Sequence, residues 1–256
     1  MALALDLSGQ VAIVTGGGRG VGRGITQRFL DAGANVIICG RNEPDQLPKA
    51  GDREAVFVAA DVRDIEAIQG VIRAADDRFG RLDALVNNAG GAPAASAADA
   101  SPRFHEKILA LNLTAPLHFS QAANAVMQRQ EQGGSIVMIA SVSGMRPSPG
   151  TAAYGAAKAG LISLAQTLAV EWGPKVRVNA VAAGMVHTEQ SHLHYGDEEG
   201  IARVSSTVPL GRLATPEDIG DACVYLCSPL ASYVSGANLL AHGGGEAPSF
   251  LDAASE

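Results

Sequence analysis

Short apolar runs alternate along the chain with segments of helical periodicity. Val11–Thr15 is an apolar run followed by glycines, which is typical of a buried strand. Ile65–Phe79 instead places its large apolar residues near helical spacing, which predicts an amphipathic helix. The predicted strands cover residues 11–15, 35–39, 55–60, 82–86, 135–140, 176–181 and 237–241. Because helices separate them, we expect a doubly wound α/β fold with a mainly parallel sheet of about seven strands and helices on both faces.

Proline and polar residues predict where the remaining segments break a helix or form loops. Pro116 should break or kink a long helical segment over residues 104–130, because proline removes a helical hydrogen bond. Residues 43–52 are predicted to form a solvated polar loop, and residues 184–215 to be irregular. No linker and no shift in composition divides the chain, so residues 1–256 are predicted to form one domain.

A glycine-rich turn follows the first strand. Residues 15–22 read TGGGRGVG, a helix is predicted over residues 23–30, and the second strand follows at once. Strand, glycine turn, helix and strand within about 30 residues is the Rossmann-type mononucleotide-binding unit. Glycines in such a turn let the backbone approach a pyrophosphate, and the start of the helix offers N–H groups to it.

Composition and charge narrow the classes of function. The 256 residues are 47% hydrophobic and 18% charged, as in a globular protein. A formal net charge of −7 without a basic run argues against a surface for nucleic acid or anionic membrane. Cys39, Cys223 and Cys227 lie in apolar runs, which predicts reduced, packed thiols in a cytoplasmic protein. The N-terminal residues lack the pattern of a signal peptide, and no apolar run reaches membrane-spanning length.

Tyr154 and Lys158 are the first candidates for chemistry. They are four positions apart in the Ala- and Leu-rich segment 152–172, so on one helix they share a face. A lysine ammonium beside a tyrosine lowers the phenol pKa, which is about 10 in isolation. The same spacing also fits a helix with two surface residues. The predicted topology places both at the carboxyl edge of the sheet, together with the glycine turn, where ligands bind in such folds.

Several motifs in order resemble the classical short-chain dehydrogenase/reductase family, with a likeness to its 3-oxoacyl reductases and hydroxysteroid dehydrogenases. The matching residues are Thr15-Gly16-x-x-x-Gly20-x-Gly22, Asn87–Gly90, Asn112, Ser141, Tyr154, Lys158, Arg177–Val181, Pro209–Arg212 and Pro216–Ile219. The resemblance covers nearly the whole chain. It implies an oxidoreductase that moves a hydride between a nicotinamide cofactor and a secondary alcohol or ketone.

The resemblance also implies the catalytic roles. Tyr154 would act as general acid/base, and Lys158 would lower its pKa and bind the nicotinamide ribose. Ser141 would hold the substrate oxygen, and Asn112 would position a water in a proton relay. From the residues alone, Ser141 also fits a strand-end cap, and Asn112 also fits a residue that satisfies backbone groups at a helix kink.

The cofactor site implied by the resemblance follows the ends of the strands. It comprises Gly16, Gly18, Arg19, Gly20, Val21, Gly22, Arg41, Asp61, Val62, Asn88, Ala89, Gly90, Tyr154, Lys158, Gly184, Val186 and Thr188. Asp61 and Val62 would flank the adenine, and Thr188 would bind the carboxamide. The second strand ends without a carboxylate for a ribose 2′-OH, whereas Arg19 and Arg41 suit a 2′-phosphate. NADP(H) is therefore favoured, and NAD(H) remains possible.

Residues 185–207 correspond to the substrate lid of the family. The predicted pocket residues are Ser143, Met145, Met185 and Leu193. Met145, Met185, Val186 and Leu193 would make the pocket partly apolar, which suits a medium-sized hydrophobic ketone, steroid-like or acyl-thioester-like; some of these four also fit ordinary core residues. The lid also holds three histidines, but the implied chemistry needs no metal, so none is predicted. Two positions depart from the family pattern: Ala183-Gly184 replaces Pro-Gly, and His242 replaces an aspartate.

Two other functions would show different residues from those of an oxidoreductase. A non-catalytic dinucleotide-binding regulator would keep the glycine turn and lose Tyr154 or Lys158. A sugar-nucleotide epimerase would carry Thr-Gly-x-x-Gly-x-x-Gly and a longer C-terminal part, neither of which is present. The partner implied by the resemblance is a small-molecule alcohol or ketone, and the assembly a homo-oligomer, commonly a tetramer.

Overall fold

The apolar runs form one central sheet in the computed structural model, which describes residues 5–247. In chain order the strands are β1 (Val11–Thr15), β2 (Asn35–Gly40), β3 (Lys49–Ala50), β4 (Arg53–Glu54), β5 (Val56–Ala59), β6 (Ala84–Asn87), β7 (Gly134–Ser141), β8 (Val176–Ala183) and β9 (Asn238–Ala241). The main sheet has seven strands in the order β5-β2-β1-β6-β7-β8-β9. All neighbouring pairs in it are parallel, which confirms the predicted sheet.

Helices cover both faces of this sheet, as predicted. They are α1 (Gly20–Asp31), α2 (Ile65–Phe79), α3 (Pro102–Leu109), α4 (Ala115–Met127), α5 (Ala152–Trp172), α6 (His192–Tyr195), α7 (Glu198–Ser206) and α8 (Pro216–Cys227). Phe29 of α1 and Cys223 of α8 belong to one apolar core, together with one side of the strands. Phe119 of α4 and Leu161 of α5 belong to a second core on the opposite face, which α2 also joins. The sheet is therefore buried on both sides, and its strands are apolar throughout.

The strand order reverses at β1. From β1 the chain moves to β2 and β5 on one side, and later to β6, β7, β8 and β9 on the other. In open parallel sheets a ligand crevice forms where the order reverses, outside the carboxyl ends of the strands. The fold thus places a crevice above the ends of β1 and β6.

The segment before α4 contains a turn of π-helix over Ala110–Thr114. The helical segment begins at Pro102, where Ser101 accepts a hydrogen bond from Phe104 N, and α4 begins just before Pro116. The predicted interruption near Pro116 is confirmed, because a π-turn separates α3 from α4 there.

Two segments predicted without regular structure do contain it. Lys49–Ala50 pairs antiparallel with Arg53–Glu54 around Gly51, whose φ is +56°, so the end of the predicted polar loop is a small hairpin. The irregular segment 184–215 holds α6 and α7. Asp197 caps α7 by accepting from Gly200 N at 2.9 Å, a polar start signal that the prediction overlooked.

All three cysteines are free and buried, as predicted. Burial raises the pKa of Cys39 to about 12 and that of Cys227 to about 11, so these thiols stay protonated near neutral pH. Within residues 5–247, the model contains no helix that is both long and apolar enough to cross a membrane.

Candidate active site

The glycine turn joins β1 to α1 at the carboxyl edge of the sheet. Gly16 and Gly20 have φ of +66° and +49°, a region that other residues rarely adopt. A Cβ on Gly22 would lie 2.2 Å from the carbonyl oxygen of Gly16, so no side chain fits there. Arg19, the N-cap of α1, makes no side-chain capping bond. The turn therefore leaves the N–H groups of the first helical turn facing the crevice, which is an arrangement suited to an anion.

Hydrogen bonds tie the turn to the end of β6. The backbone N–H groups of Asn88 and Ala89 both donate to Thr15 Oγ1 at 2.9 Å. The Asn88 side chain donates to Thr15 O, also at 2.9 Å. These contacts hold residues 88–90 beside the glycine turn. Thr15 was part of the sequence motif but was not predicted as a site residue.

Tyr154 and Lys158 lie one turn apart in the first half of α5. Lys158 Nζ lies 5.4 Å from the centre of the Tyr154 ring and donates to Ile139 O of β7 at 2.7 Å. Lys158 is 3% exposed, and its burial lowers the pKa of the ammonium to about 8. The shared helix face predicted from the spacing is thus present.

The pKa of Tyr154 is raised in this geometry, whereas a lowering by Lys158 was expected. Burial is the main cause, because it disfavours the phenolate. A hydrogen bond with the Ser141 hydroxyl acts in the opposite direction, and Tyr195 of α6 adds to the rise. Ser141 ends β7, and its hydroxyl also accepts from Ser143 N at 3.1 Å. It therefore contacts Tyr154 and also serves as the strand-end cap considered above.

Asn112 lies in the π-turn and contacts backbone on two sides. Its side-chain amide donates to Ile108 O at 2.9 Å and to Gly91 O at 3.0 Å, while its oxygen accepts from Gly91 N at 2.8 Å. A Cβ on Gly90 would lie 2.6 Å from that oxygen and 3.3 Å from Lys158 Nζ. Asn112 thus satisfies backbone groups at the kink, and only Gly90 separates it from Lys158.

The predicted adenine residues Asp61 and Val62 follow β5, and Arg63 beside them binds the Asp61 carboxylate. Arg63 donates from its side chain to both oxygens of Asp61, at 2.9 and 2.6 Å. These bonds, opposed by partial burial, lower the pKa of Asp61 to about 2, and nearby Arg41 contributes less. Val62 is buried, while Arg19 and Arg41 are exposed. Arg63 was not among the predicted site residues; the signal for it in the sequence is the Asp-x-Arg spacing at a strand end.

The start of the lid contacts the glycine turn. Val186 pairs with Ala214, and the Glu189 carboxylate accepts from Gly20 N at 3.0 Å. Gly184, at the end of β8, lies so close to His242 that a Cβ would approach its Cα to 2.7 Å. Of the predicted cofactor residues after β8, Thr188 lies beside the turn, since a Cβ on Gly20 would lie 3.8 Å from its methyl carbon. Glu189 was not predicted, because its contact spans 169 positions in sequence.

The four predicted substrate residues are scattered around the opening. Met145 and Leu193 are 48% and 66% exposed, while Ser143 and Met185 are half-buried. A small cavity beside Tyr154 is lined by other residues, namely Ala92, Pro93, Ala95, Phe104, His105, Ile108 and Gly150–Ala153. In the part of the chain from 5 to 247, no cluster of three or more His, Cys, Asp or Glu residues is placed to hold a metal ion.

Comparison with known proteins identifies the family. Residues 16–246 match a family model described as Enoyl-(Acyl carrier protein) reductase. L-rhamnose 1-dehydrogenase (NAD(P)(+)) of Azotobacter vinelandii is 36% identical over 246 residues, covering 92% of this chain and 96% of that protein. A putative short-chain alcohol dehydrogenase from Sinorhizobium meliloti is 35% identical in its crystal structure, with a TM-score of 0.84 over 94% of this chain and 97% of that chain. The chain belongs to the short-chain dehydrogenase/reductase family.

Other members of the short-chain dehydrogenase/reductase family are similar to the same extent. A 3alpha-hydroxysteroid dehydrogenase of Mediterraneibacter gnavus is 35% identical over 239 residues, which cover 90% of this chain and 94% of that protein. The protein is therefore an oxidoreductase of a family that uses nicotinamide dinucleotides and includes dehydrogenases of alcohols and sugars. The resemblance read from the motifs is confirmed.

Two further family motifs serve the architecture. Arg177 of β8 donates to the carbonyl oxygens of Leu226 and Val234, and Asn179 of β8 also donates to Val234 O, which joins the sheet to the last turn of α8 and to the segment after it. Arg212 forms an ion pair with Asp218 in the first turn of α8, so it holds the segment just before α8 against that helix.

Proposed function

We propose that this short-chain dehydrogenase/reductase transfers a hydride between a nicotinamide dinucleotide and a secondary alcohol or ketone, with Tyr154 as general acid/base. The observation that carries the proposal is the meeting of Ser141, Tyr154 and Lys158 at the end of β7, on the same sheet edge as the glycine turn. A proton-transfer group, a hydrogen-bond donor for the reacting oxygen and an anion-binding helix start are thus within one crevice.

The chain's own residues supply the acid/base chemistry. In reduction, the Tyr154 hydroxyl donates its proton to the carbonyl oxygen, and Ser141 donates a hydrogen bond to the same oxygen. In oxidation, the Tyr154 phenolate removes the proton of the substrate hydroxyl. The nicotinamide, when bound, accepts or supplies the hydride. Lys158, beside the ring, favours the phenolate when it is charged, and a water held near Asn112 would connect Lys158 with solvent.

The residues present fit a dinucleotide. The first N–H of α1, that of Gly20, already donates to the negatively charged carboxylate of Glu189, so this helix start accepts an anion. The proposed cofactor contacts are those of the glycine turn (Gly16, Gly18, Arg19, Gly20, Val21, Gly22), of the strand ends (Arg41, Asp61, Val62, Asn88, Ala89, Gly90), of α5 (Tyr154, Lys158) and of the lid start (Gly184, Val186, Thr188). Asp61 would bind the adenine amine only while sharing its carboxylate with Arg63.

We propose NADP(H) as the preferred cofactor, with NAD(H) possible. Arg19 and Arg41 are exposed, and within residues 5–247 neither takes part in an ion pair. Both can therefore meet a 2′-phosphate without first breaking a contact. The tip of β2 offers Gly40-Arg41 and no carboxylate to a ribose 2′-OH.

Arg41→Ala tests this preference. We expect kcat/KM for NADP(H) to fall by about 10- to 100-fold, the effect of losing one charge-assisted bond, while kcat/KM for NAD(H) changes by less than about twofold. Arg53→Ala, an exposed arginine of the neighbouring hairpin, is the matched control and should alter neither value. A wild-type preference for NAD(H) would refute the assignment.

The substrate class is tested by absorbance of the reduced nicotinamide with a panel of ketones. The panel contains a sugar or polyol, a steroid ketone and an acyl thioester ketone, because relatives are named as sugar, steroid and acyl-CoA enzymes. We expect turnover with at least one secondary alcohol or ketone. We propose that the medium-sized hydrophobic members of the panel are the preferred substrates. Tight dinucleotide binding without turnover on any member would instead favour a binding regulator.

We also propose a cytoplasmic homo-oligomer, a tetramer by family analogy. Val170 of α5 is 84% exposed and Tyr233 before β9 is fully exposed, so apolar area is available for a partner copy. Three free, buried cysteines suit a reducing compartment.

A further inference from the structure

Glu189 bonds the helix start that would bind a pyrophosphate. Its carboxylate accepts from the backbone N–H of Gly20, the first residue of α1, at 3.0 Å. Thr188 is also near, since a Cβ on Gly20 would lie 3.8 Å from its methyl carbon. Because Arg19 gives α1 no side-chain cap, Glu189 acts as the cap, supplied by the lid.

A tight turn fixes Glu189 in this place. Thr188 N donates to Ser191 Oγ at 2.8 Å, and Gln190 N donates to Thr188 Oγ1 at 3.3 Å. Ser191 is 2% exposed, so it anchors this turn in the protein interior. Just before the turn, His187 N donates to Ala214 O at 2.8 Å. Hydrogen-bonded backbone therefore flanks Glu189 on both sides, and the rest of the lid follows after it.

The Glu189 carboxylate and a cofactor pyrophosphate would compete for the same donor, the backbone N–H of Gly20. Both are negatively charged acceptors, and the N–H of Gly20 can point at only one of them. We propose that Glu189 is an internal competitor of the cofactor pyrophosphate, which latches the lid to the glycine turn until dinucleotide binding displaces it. This inference rests on the proposed function, because it takes the glycine turn as the pyrophosphate site.

The latch couples cofactor affinity to lid position. If the latched form predominates, only the unlatched fraction is competent to bind, and the apparent dissociation constant rises in proportion. Release of Glu189 then removes this hydrogen bond between the lid and the glycine turn, whereas buried Ser191 keeps the turn at residues 188–191 anchored.

Direct titration of Glu189→Ala and Glu189→Gln with NADPH tests the competition without turnover. We expect the dissociation constant to fall by about three- to tenfold for Glu189→Ala, as for the loss of one charged contact at a helix start, and to fall by less for Glu189→Gln. Glu198→Gln removes the same charge from the exposed first turn of α7 and should leave the constant unchanged. The inhibition constant of inorganic pyrophosphate, used as a competitor of NADPH, should decrease in the same variants: most in Glu189→Ala, less in Glu189→Gln and not in Glu198→Gln.

Hydrogen exchange gives a second readout that does not depend on the cofactor. In Glu189→Ala, the Gly20 amide should exchange faster than in wild type and in Glu198→Gln, because it loses its acceptor. Equal NADPH binding by Glu189→Ala and Glu198→Gln, or weaker binding by Glu189→Ala, would overturn the latch while leaving the proposed function intact. If neither the wild type nor any variant bound NADPH, both the latch and the proposed function would be overturned. Unchanged exchange at the Gly20 amide in Glu189→Ala would exclude the contact between Glu189 and Gly20.

Discussion

At the scale of single residues, the proton affinity of Tyr154 is set by opposing effects. Burial raises its pKa, and the Ser141 hydroxyl lowers it by hydrogen bonding. Lys158 is buried against Ile139 O, and its own pKa falls to about 8, so its charge is present at neutral pH and decreases in alkaline solution. Tyr154 is thus an acid that keeps its proton at neutral pH, which suits donation to a ketone.

This balance predicts a pH dependence with a definite sign. Oxidation needs the phenolate, so its kcat/KM should increase as pH rises, whereas reduction needs the protonated phenol and should fall only in alkaline solution. Ser141→Ala removes the bond that lowers the pKa, so its oxidation profile should shift to higher pH, with turnover reduced by about 100- to 1000-fold. Ser163→Ala, an exposed serine on α5, is the control. A shift to lower pH for Ser141→Ala would contradict the account.

Sequence spacing located some site residues and missed others for a physical reason. Tyr154 and Lys158 were found because four positions on one helix fix a shared face. Arg63 was missed because its effect depends on which way a side chain folds back, and Glu189 because its partner lies far away in sequence. The pKa of Tyr154 was expected to fall because a cation is visible in sequence, whereas burial is not.

At the scale of elements, close contact between α1 and α8 holds the glycine turn in place. A Cβ on Gly24 would lie 2.3 Å from Pro216 Cβ, so the two helices meet with no room for a side chain. The strands and long helices could be predicted because they bury continuous apolar runs or one periodic face. The hairpin at residues 49–54 and the short helices α6 and α7 were not predicted, because turns and caps such as Asp197 rather than an apolar pattern define them.

Alanine at two helical glycines should change stability in opposite directions. Gly24→Ala should lower the free energy of unfolding by about 1–3 kcal/mol, because the methyl group overlaps Pro216. Gly70→Ala in α2 should raise it by about 0.5–1 kcal/mol, because a Cβ there meets only the end of Arg73 at 3.9 Å and alanine favours helix. Urea unfolding of both variants measures these changes. An unchanged or increased free energy of unfolding for Gly24→Ala would show that this contact does not govern the packing of α1.

At the scale of the whole molecule, the site exists only because the sheet brings distant segments to one edge. The glycine turn and Asn88 come from β1 and β6, Ser141 ends β7, and α5 returns Tyr154 to the same crevice. The alternation of strands and helices made this convergence predictable. The shape of the opening was not predictable, because exposed side chains of the lid and of the loops around it determine it.

The most direct test is Tyr154→Phe, assayed for cofactor binding and turnover on the same preparation. The variant keeps the ring over Lys158 and removes only the hydroxyl. We expect the dissociation constant of NADPH to change by less than about twofold, and kcat to fall by about 100- to 10,000-fold, the contribution of a positioned acid/base. A variant that binds NADPH normally and turns over near the wild-type rate would contradict the assignment of Tyr154.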